Sequence, residues 1–393
     1  MTNDGVSWKA KVMRPEAEWE QVGSVHVTGG RALVAGRLVA NSGVWLGSDR
    51  EGRAADVVVD ADEIVLPGLV DLHCHLRAGG LNPKGVDLEQ LARSGVLGAA
   101  DAGSFGPETM DASVALLARE QIQTGVNFRT WSYLYGTGLH DVRPPGNDGA
   151  VLRAWERMHM TVGEEVLAGL KVRLGQSPAC GDDRLLEMGR AIADRRGVRL
   201  MVHLTGSGVP LAGVLGRLRP GDVLSHAFHG RATGIIREDG QVSEAAVEAH
   251  ARGVVFDVAH GRNHFSWRVF ESALAKGVCP GSISTDVTQM SLGVEPVRNL
   301  LSVMSKLVGG GLHLEKALLA VSDTPSRLLG LVEPMKRCSV VICPVECEKD
   351  MADAEGALRR VKVHYVPRVV AASLGESMRL LVRQRSDIQS TVG

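Results

Sequence analysis

His73 and His75 are the residues of this sequence whose types and spacing most directly suggest metal chemistry. They end an apolar run over residues 64–76, Ile-Val-Leu-Pro-Gly-Leu-Val-Asp-Leu-His-Cys-His-Leu, which predicts a buried β-strand. Side chains alternate between the two faces of a strand, so both imidazoles would point one way and Cys74 the other. A His-x-His pair alone is a weak signal. It gains weight only if ligand-type residues recur at the ends of later apolar runs.

Ligand-type residues do recur at the ends of later runs. They are Lys171 in Gly-Leu-Lys-Val-Arg, His203 in Met-Val-His-Leu-Thr, His226 in Leu-Ser-His-Ala-Phe and Asp286 in Ile-Ser-Thr-Asp. Taken singly, each histidine is more often an ordinary hydrogen-bonded residue than a ligand. Their shared position at strand ends indicates one site. Imidazoles with a carboxylate suit zinc, with manganese or iron as other candidates, because geometry selects the metal more than raw affinity does.

Lys171 is the unusual member of this set. An ammonium group that faces a dication is repelled and is costly to desolvate, so a lysine in its ordinary form is a poor ligand. Carboxylation by carbon dioxide would convert it to a carbamate whose two oxygens can bridge two metal ions. A salt bridge between Lys171 and a nearby carboxylate is the other interpretation, and the sequence does not decide between them.

The elements that must position these residues follow a repeated pattern. Apolar runs that end in polar residues or glycine alternate with amphipathic segments, which is typical of successive βα units around a parallel sheet. The pattern predicts strands over 64–76, 95–104, 127–135, 166–175, 199–206, 222–230, 253–261 and 281–287, and helices over 107–124, 183–195 and 243–251. Eight such units predict an α/β fold of the (β/α)8 TIM-like barrel type, whose active site lies at the carboxyl ends of the strands.

The flanking segments predict a small β domain. Short strands are expected over 24–28, 31–35 and 55–60, and β-like sequence returns from about 338 to 370, after helices over 295–307 and 314–329. We therefore divide the chain into residues 1–63 and 331–393, which would form the small β domain and a tail, and residues 64–330, which would form the barrel. The long connection over 136–150 is either a wall or lid of the site or an ordinary surface loop.

The composition narrows the classes of function. The chain has 393 residues, of which 44% are hydrophobic, and can bury a large core. Its 44 Lys and Arg against 45 Asp and Glu give a net charge of −1, which provides no overall basic field for nucleic acid or an anionic membrane. The expected partner is a small-molecule substrate, and the oligomeric state is left open, a homo-oligomer included.

Location and redox state follow from the same counts. The chain shows no signal-peptide pattern and no apolar run of the roughly 18 residues that a membrane span requires, so a cytoplasmic location is the expectation. The six cysteines are too few and too irregularly spaced for a disulfide framework. Cys338, Cys343 and Cys347 cluster, but no matching pair of zinc ligands stands nearby, and we assign them no role.

The motifs at 71–75, 169–174, 225–231, 256–261 and 282–286 together resemble the amidohydrolase superfamily of binuclear metal hydrolases. Within it they are similar to the dihydroorotase-related, deacetylase-type branch, and the resemblance covers residues 24–330. It implies two divalent ions, Zn²⁺ first with Mn²⁺ or Fe²⁺ as alternatives. The implied ligands are His73, His75 and Asp286 for one ion and His203 and His226 for the other, with a carboxylated Lys171 as the bridge. It further implies that Asp286 is the catalytic acid and base, which takes a proton from a metal-bridging hydroxide.

Four other residues are predicted to contact the substrate. Arg77 follows His75 by two residues, so strand alternation places it near the same face, and its planar guanidinium suits a carboxylate. An ion pair with a loop carboxylate is the other interpretation. His229, His260 and Arg262 stand at strand ends where substrate contacts are expected, although each could equally be structural.

Hydrolysis of an amide or ester bond in a small, carboxylate-bearing molecule is the leading predicted function. Ring opening of a cyclic amide, as in dihydroorotase or hydantoinase, is the nearest alternative, because His-Cys-His-Leu-Arg resembles the start motif of dihydroorotase. A purine-type deaminase is disfavoured because no acidic residue follows His203 in Leu-Thr-Gly-Ser-Gly. A non-enzymatic scaffold descended from the superfamily should have lost ligands, and all six are present.

Overall fold

The structure is a computed structural model of the chain. It describes residues 18–22, 24–34, 36–47, 54–141, 147–163, 165–175 and 181–392. The middle of the predicted wall or lid, residues 142–146, lies outside the described residues, as does Cys180. The other five cysteines are free.

The strands of the described residues form two sheets and are numbered along the chain. They are β1 (Glu20–Val22), β2 (Ser24–Val34), β3 (Arg37–Ala40), β4 (Val44–Gly47), β5 (Ala54–Leu66), β6 (Leu69–Cys74), β7 (Val96–Ala102), β8 (Asn127–Tyr133), β9 (Leu167–Arg173), β10 (Arg199–His203), β11 (Val223–Ser225), β12 (Val255–Phe256), β13 (Ser339–Ala352), β14 (Leu358–Leu374) and β15 (Ser377–Val382). Strands β6 to β12 make a parallel sheet in sequential order. The remaining strands make a mixed sheet from both ends of the chain.

Helices follow most strands of the parallel sheet. They are α1 (Leu88–Arg93), α2 (Met110–Thr124), α3 (Asp148–Thr161), α4 (Asp182–Arg196), α5 (Leu211–Gly216), α6 (Glu244–Ala251), α7 (Trp267–Ala275), α8 (Leu300–Gly309), α9 (Leu314–Ala320), α10 (Asp323–Leu328), α11 (Val332–Met335) and α12 (Arg385–Val392). Local signals set several ends: Asp87 and Gln90 form a capping box at α1, and Gly125 ends α2 in the left-handed region, with φ of 72°. None of these helices is long and apolar enough to cross a membrane.

The α/β class is confirmed, but the regular part of the parallel sheet has seven strands where the sequence predicts eight. The predicted last strand, residues 281–287, forms only isolated bridges to Cys74 and Asp257. Asp286 lies in this segment with φ of 53°, which interrupts the extended conformation of a strand. The segment therefore departs from a regular ladder at the position of its predicted functional residue.

Hydrogen bonds nevertheless join residues 281–287 to both edges of the parallel sheet. On one side the backbone N–H of His260 donates to the carbonyl of Ser284 at 3.1 Å. On the other side the N–H of Asp286 donates to the carbonyl of His73 at 2.7 Å, and the N–H of His75 donates to the carbonyl of Val287 at 3.1 Å. The segment thus connects the last strand of the sheet to the first.

The strand predicted over 64–76 is split between the two sheets. Its first part is the end of β5, where Ile64 pairs with Ile342 of β13, and its second part is β6. Pro67 has no N–H to donate to a ladder and stands between them. A Cβ on Gly68 would lie 2.6 Å from Cβ of Leu97, so glycine permits the close packing at this crossing.

Three other predicted boundaries also change. The strands predicted over 24–28 and 31–35 form the single strand β2. The helix predicted from 295 begins only with α8, after Asn299, whose side chain accepts a hydrogen bond from the N–H of Ser302. The helix predicted over 314–329 is divided into α9 and α10, because Pro325 has no N–H for the carbonyl four residues earlier.

The largest hydrophobic core includes residues of both sheets, and the mixed sheet also has a smaller core of its own. Every residue of β6 and β7 is buried, as expected of parallel strands that are covered on both faces. The same core includes Ile64 of β5 and Val340 of β13 from the mixed sheet. The mixed sheet therefore packs directly against the unit that carries the predicted ligands.

Candidate metal centre

The six predicted ligands lie around one cavity at the carboxyl ends of the parallel strands. His73 lies in β6 and His75 just beyond it, Lys171 lies in β9, and His203 ends β10. His226 follows β11, and Asp286 belongs to the segment that connects the sheet edges. All six line a cavity of about 210 Å³. Because parallel strands end at the same side of a sheet, residues far apart in sequence meet here.

The first group of ligand-type atoms comprises His73, His75 and Asp286, which lie within 4.8 Å of one another. Asp286 Oδ1 is 3.0 Å from His75 Nε2 and 3.5 Å from His73 Nε2. Burial opposes ionisation of Asp286, but hydrogen bonds from the two imidazoles hold its pKa well below the usual range. The carboxylate is therefore anionic at neutral pH and is a suitable metal ligand.

The second group comprises His203, His226 and His264. The ring centroids of His203 and His226 are 4.3 Å apart, and those of His226 and His264 are 4.2 Å apart. Burial lowers the pKa of His203 and His226 well below the usual range and that of His264 to about 4. All three imidazoles are therefore neutral at physiological pH, which is the form that binds metals.

His264 was not predicted from the sequence. It lies in the loop between β12 and α7, where no strand end marks its direction. The one available signal was the short spacing of His260 and His264 after a predicted strand. Its Nδ1 is buried and has no hydrogen-bond partner among the described residues. Since a buried polar nitrogen without a partner is costly, this atom supports the fit of a cation to the second group.

Lys171 is only 1% exposed and, among the described residues, does not form the salt bridge that the sequence left open. Its Nζ lies 3.1 Å from Met201 Sδ and 3.4 Å from Ser225 Oγ. Within the described part of the chain, no carboxylate oxygen lies within ion-pair distance of it. Burial lowers its pKa to about 7, so a neutral amine with a free lone pair is well populated.

Hydrogen bonds orient the histidine rings. Ser104 Oγ lies 2.8 Å from His75 Nδ1, and Ser225 Oγ lies 2.6 Å from His73 Nδ1. His226 donates from Nδ1 to the carbonyl of Ala259 at 2.7 Å. These contacts occupy Nδ1 and leave Nε2 of each ring for the centre, as is common around metal-binding histidines.

Two buried aspartates, Asp257 and Asp71, contact the connecting segment next to the proposed ligands. Asp257 is fully buried, accepts a hydrogen bond from Ser284 Oγ at 2.7 Å, and lies 3.6 Å from His73 Nδ1. Asp71 accepts hydrogen bonds from the hydroxyl of Thr285 at 2.5 Å and from the N–H of Thr285 at 3.1 Å. Asp71 therefore fastens the connecting segment to β6, while Asp257 faces Nδ1 of His73, on the side of the ring opposite to the nitrogen that approaches Asp286.

Two predicted ligands have backbones in the left-handed region. His226 has φ of 60° and Asp286 has φ of 53°, a conformation that costs free energy for residues other than glycine. Such strain persists only where the surroundings enforce it, and it is concentrated at functional sites.

Arg77 lies apart from the cavity, although strand alternation predicts it at the site. β6 ends at Cys74, and Arg77 itself has φ of −81° and ψ of −35°, so alternation no longer sets its direction. Its Nη1 lies 3.6 Å from Asp87 Oδ2, which corresponds to the ion pair considered as the alternative. Arg262, by contrast, lines the cavity and is exposed.

His229 and His260 are buried and are not among the residues that line the cavity. Nδ1 of His229 accepts a hydrogen bond from the N–H of Arg231 at 3.0 Å. His260 donates from Nδ1 to the carbonyl of Gly261 at 2.7 Å, and its Nε2 accepts from Nζ of Lys306 at 2.7 Å. Both ring nitrogens of His260 are thus hydrogen-bonded, which corresponds to its structural interpretation, whereas Nε2 of His229 is buried without a partner among the described residues.

The lining also includes polar residues that the sequence did not indicate. They are Asn82, Lys84, His140, Arg173, Asn263, Thr288 and Ser291. Most lie on loops, whose course the residue pattern does not specify. Arg173 is the exception, since it lies in β9 two residues after Lys171 and could have been found by the alternation rule.

The chain has curated relatives over most of its length. It is 28% identical to a deacetylase of Agrobacterium fabrum over 88% of both chains. It is 27% identical to a deacetylase of Brucella anthropi over 87% of this chain and 89% of the relative. No protein-family model matches the chain.

Solved structures show the same fold. A dihydroorotase superposes with a TM-score of 0.77 at 24% identity and covers 91% of this chain and 98% of its own. An adenine deaminase superposes with a TM-score of 0.76 at 21% identity, over 91% of this chain and 99% of its own. The motifs, the curated relatives and the fold agree, which confirms the resemblance to the amidohydrolase superfamily that the sequence indicates. Its curated relatives are named deacetylases.

Proposed function

We propose that the protein is a metal-dependent hydrolase that cleaves an amide or ester bond of a small, carboxylate-bearing molecule. The observation that carries this proposal is the meeting of two groups of ligand-type side chains and a buried lysine around one cavity. The deacetylase relatives support the same reaction type, because removal of an acetyl group is hydrolysis of an amide or ester.

The donor atoms suit two divalent ions, with Zn²⁺ as the first candidate and Mn²⁺ or Fe²⁺ as alternatives. His73, His75 and Asp286 would hold one ion, and His203 and His226, with His264 beside them, the other. Lys171, carboxylated by carbon dioxide, would bridge the two. Bound ions would supply Lewis-acid polarisation of the scissile carbonyl and a hydroxide nucleophile at neutral pH.

The chain itself would supply the proton transfers. Asp286 is anionic and is the one carboxylate among the described residues that line the cavity. Its free oxygen would accept a proton from the attacking water and deliver it to the leaving nitrogen or oxygen. The neutral imidazoles of His203 and His226 are proposed metal ligands, so their lone pairs would be engaged and this carboxylate is left as the acid and base of the reaction.

The fold proposal follows from the connecting segment. We infer that residues 281–287 take the place of the eighth strand, so that the parallel sheet closes as a (β/α)8 barrel over residues 64–330. Hydrogen bonds from this segment to both sheet edges support closure. The mixed sheet would be the small β domain formed from residues 1–63 and 331–393.

Two competing functions receive less support. The dihydroorotase-like interpretation depends on Arg77 at the substrate, and Arg77 instead faces Asp87 outside the cavity lining. A purine-type deaminase requires an additional acidic residue near His203. Among the described lining residues, Asp286 is the only acid.

The test is metal analysis of the purified full-length chain, combined with a hydrolysis screen. N-acetyl amino acids, acetyl esters and cyclic ureides would be supplied to protein loaded with zinc or manganese. We expect close to two ions per chain and hydrolysis of the acyclic acetyl compounds, both abolished by a chelator. Turnover of the cyclic ureides alone would favour the ring-opening alternative, and a metal-loaded protein without any hydrolysis would refute the proposal.

A further inference from the structure

The cavity lining carries more positive than negative charge. Lys84, Arg173 and Arg262 line it, whereas Asp286 is the one carboxylate among the described lining residues. Asp286 is already engaged with His73 and His75. A concave site with this imbalance attracts an anionic ligand.

Arg173 is the cation with the most defined position at the metal centre. It is the last residue of β9, two residues beyond Lys171, so both side chains leave the strand on the same face. In the neighbouring strand β10 its register partner is His203, a member of the second ligand group. The strand framework therefore fixes Arg173 beside the residues proposed to bind metal.

Among the described residues, Arg173 has no hydrogen-bond or ion-pair partner. The residue is half-buried, its Nε is buried without a hydrogen bond there, and no carboxylate in the described part of the chain lies within ion-pair distance of the guanidinium. Burying the Nε–H of a guanidinium without a hydrogen-bond acceptor costs free energy, which a bound anion would recover. Other arginines near the site are satisfied or solvated: Arg231 donates to the carbonyl of Thr205 at 3.1 Å, and Arg262 is exposed.

We propose that Arg173 binds the carboxylate of the substrate and thereby selects acyl compounds that carry one. Its planar fork can form two parallel hydrogen bonds to a carboxylate, which a lysine cannot reproduce. This inference rests on the proposed function, because it names the residue that recognises the substrate class of that site. It also assigns to Arg173 the role that the sequence suggested for Arg77.

Kinetics with matched substrates test the proposal. Arg173→Gln, Arg173→Lys and the wild type would be compared on N-acetyl amino acids and on the corresponding carboxamides. We expect Arg173→Gln to raise KM for the carboxylates by roughly 10-fold or more while KM for the carboxamides changes little. Arg173→Lys keeps the charge but loses the planar fork, so its KM for the carboxylates should lie between those of the wild type and Arg173→Gln. Metal content should be unchanged in both variants.

Arg327→Gln is a matched control. Arg327 forms an exposed pair with Asp323 one helical turn away, so its loss removes an arginine without touching the cavity. Circular dichroism would establish that each variant is folded. If Arg173→Gln does not fold, Arg173→Lys provides the same comparison with a smaller change.

A binding measurement separates this proposal from the proposed function. N-methylsulfonylglycine and its carboxamide, which resist hydrolysis, would be titrated into the metal-loaded chain by calorimetry. Carboxylate affinity that falls in Arg173→Gln but not in Arg327→Gln supports the inference, even if the wild type hydrolyses none of the substrates and the proposed function fails. Three results would overturn it. The affinities for the carboxylate and the carboxamide could fall equally in Arg173→Gln, the carboxylate could bind Arg173→Gln as tightly as it binds the wild type, or the wild type could fail to bind the carboxylate.

Discussion

Asp286 Oδ1 lies 3.0 Å from Nε2 of His75, although the two residues are 211 positions apart in the sequence (286 − 75). The contact joins residues 281–287, which follow β12, to the end of β6, the first strand of the parallel sheet. It places the one carboxylate of the described cavity lining against an imidazole that Ser104 holds at its other nitrogen. The proposed acid and base is therefore oriented by a residue that would bind the same metal ion.

Asp286→Asn is expected to reduce kcat by at least ~10²-fold, in line with the usual contribution of a general base. The amide preserves the shape of the side chain but has no anionic oxygen to accept a proton. Metal content should be largely retained, and the acidic limb of the pH–rate profile should disappear. Steady-state kinetics with metal analysis would check this, and near-normal turnover would exclude the assignment.

Lys171→Ala is expected to abolish activity and to weaken metal retention. The wild-type lysine is buried without a carboxylate partner among the described residues, and carboxylation would convert it into an anionic bridge. A short carboxylic acid added in excess should restore part of both properties to the variant. Mass spectrometry under native conditions should detect the added carbon dioxide on the wild type. Full activity of Lys171→Arg would instead establish a cationic role.

His264→Ala tests whether the loop histidine belongs to the second ligand group. Its buried Nδ1 has no partner in the described structure, so we expect metal to bind at least about tenfold more weakly. His313→Ala is the control, since His313 is exposed at the start of α9. The measurement is metal content after dialysis against graded chelator. Identical retention in the two variants would remove His264 from the centre.

Lys306 should make stability depend on pH. Burial lowers its pKa from 10.5 to about 7, although Asp353 and Glu295 oppose the shift. Between these values the unfolded chain holds a proton that the folded chain has released, so the free energy of unfolding rises with pH. The slope is at most about 1.4 kcal/mol per pH unit.

Urea unfolding of Lys306→Met at pH 7, 8 and 9 would measure this contribution. The variant loses the donor to His260 and to the carbonyl of Ala352, and is expected to be less stable overall. Its stability should nevertheless rise less with pH than that of the wild type. Lys336→Met, at an exposed pair with Glu333, should follow the wild-type curve. Parallel curves for all three proteins would contradict the prediction.

The sequence predicts the positions of site residues where the regular geometry of β-strands determines them. Two simple rules, the alternation of side chains along a strand and the common end of parallel strands, were enough to bring His73, Lys171 and His203 to one cavity. The same reasoning failed for Arg77, because the backbone turns after Cys74 and alternation ceases to apply. His264 was missed for a related reason, since its direction depends on how a loop packs.

The hydrophobic pattern of the sequence also did not predict where one strand ends and the next begins. The apolar run over 64–76 looks continuous, yet its two parts belong to different sheets because Pro67 and Gly68 allow the chain to cross. Hydrophobicity indicates that both parts are buried and does not tell which partner buries them. Partner choice depends on contacts with residues such as Ile342, which are nearly three hundred positions away.

The connecting segment, residues 281–287, has a consequence for the order of folding. Asp71 and Thr285, whose hydrogen bonds hold this segment against β6, are 214 positions apart, and closing so long a loop is slow and entropically costly. Until it closes, His73 and His75 lack Asp286, and an incompletely synthesised chain presents an open strand edge without a three-ligand group. The first ion would then bind only to a chain whose parallel sheet has closed. Its binding would stabilise the closed state and slow the separation of residues 281–287 from β6.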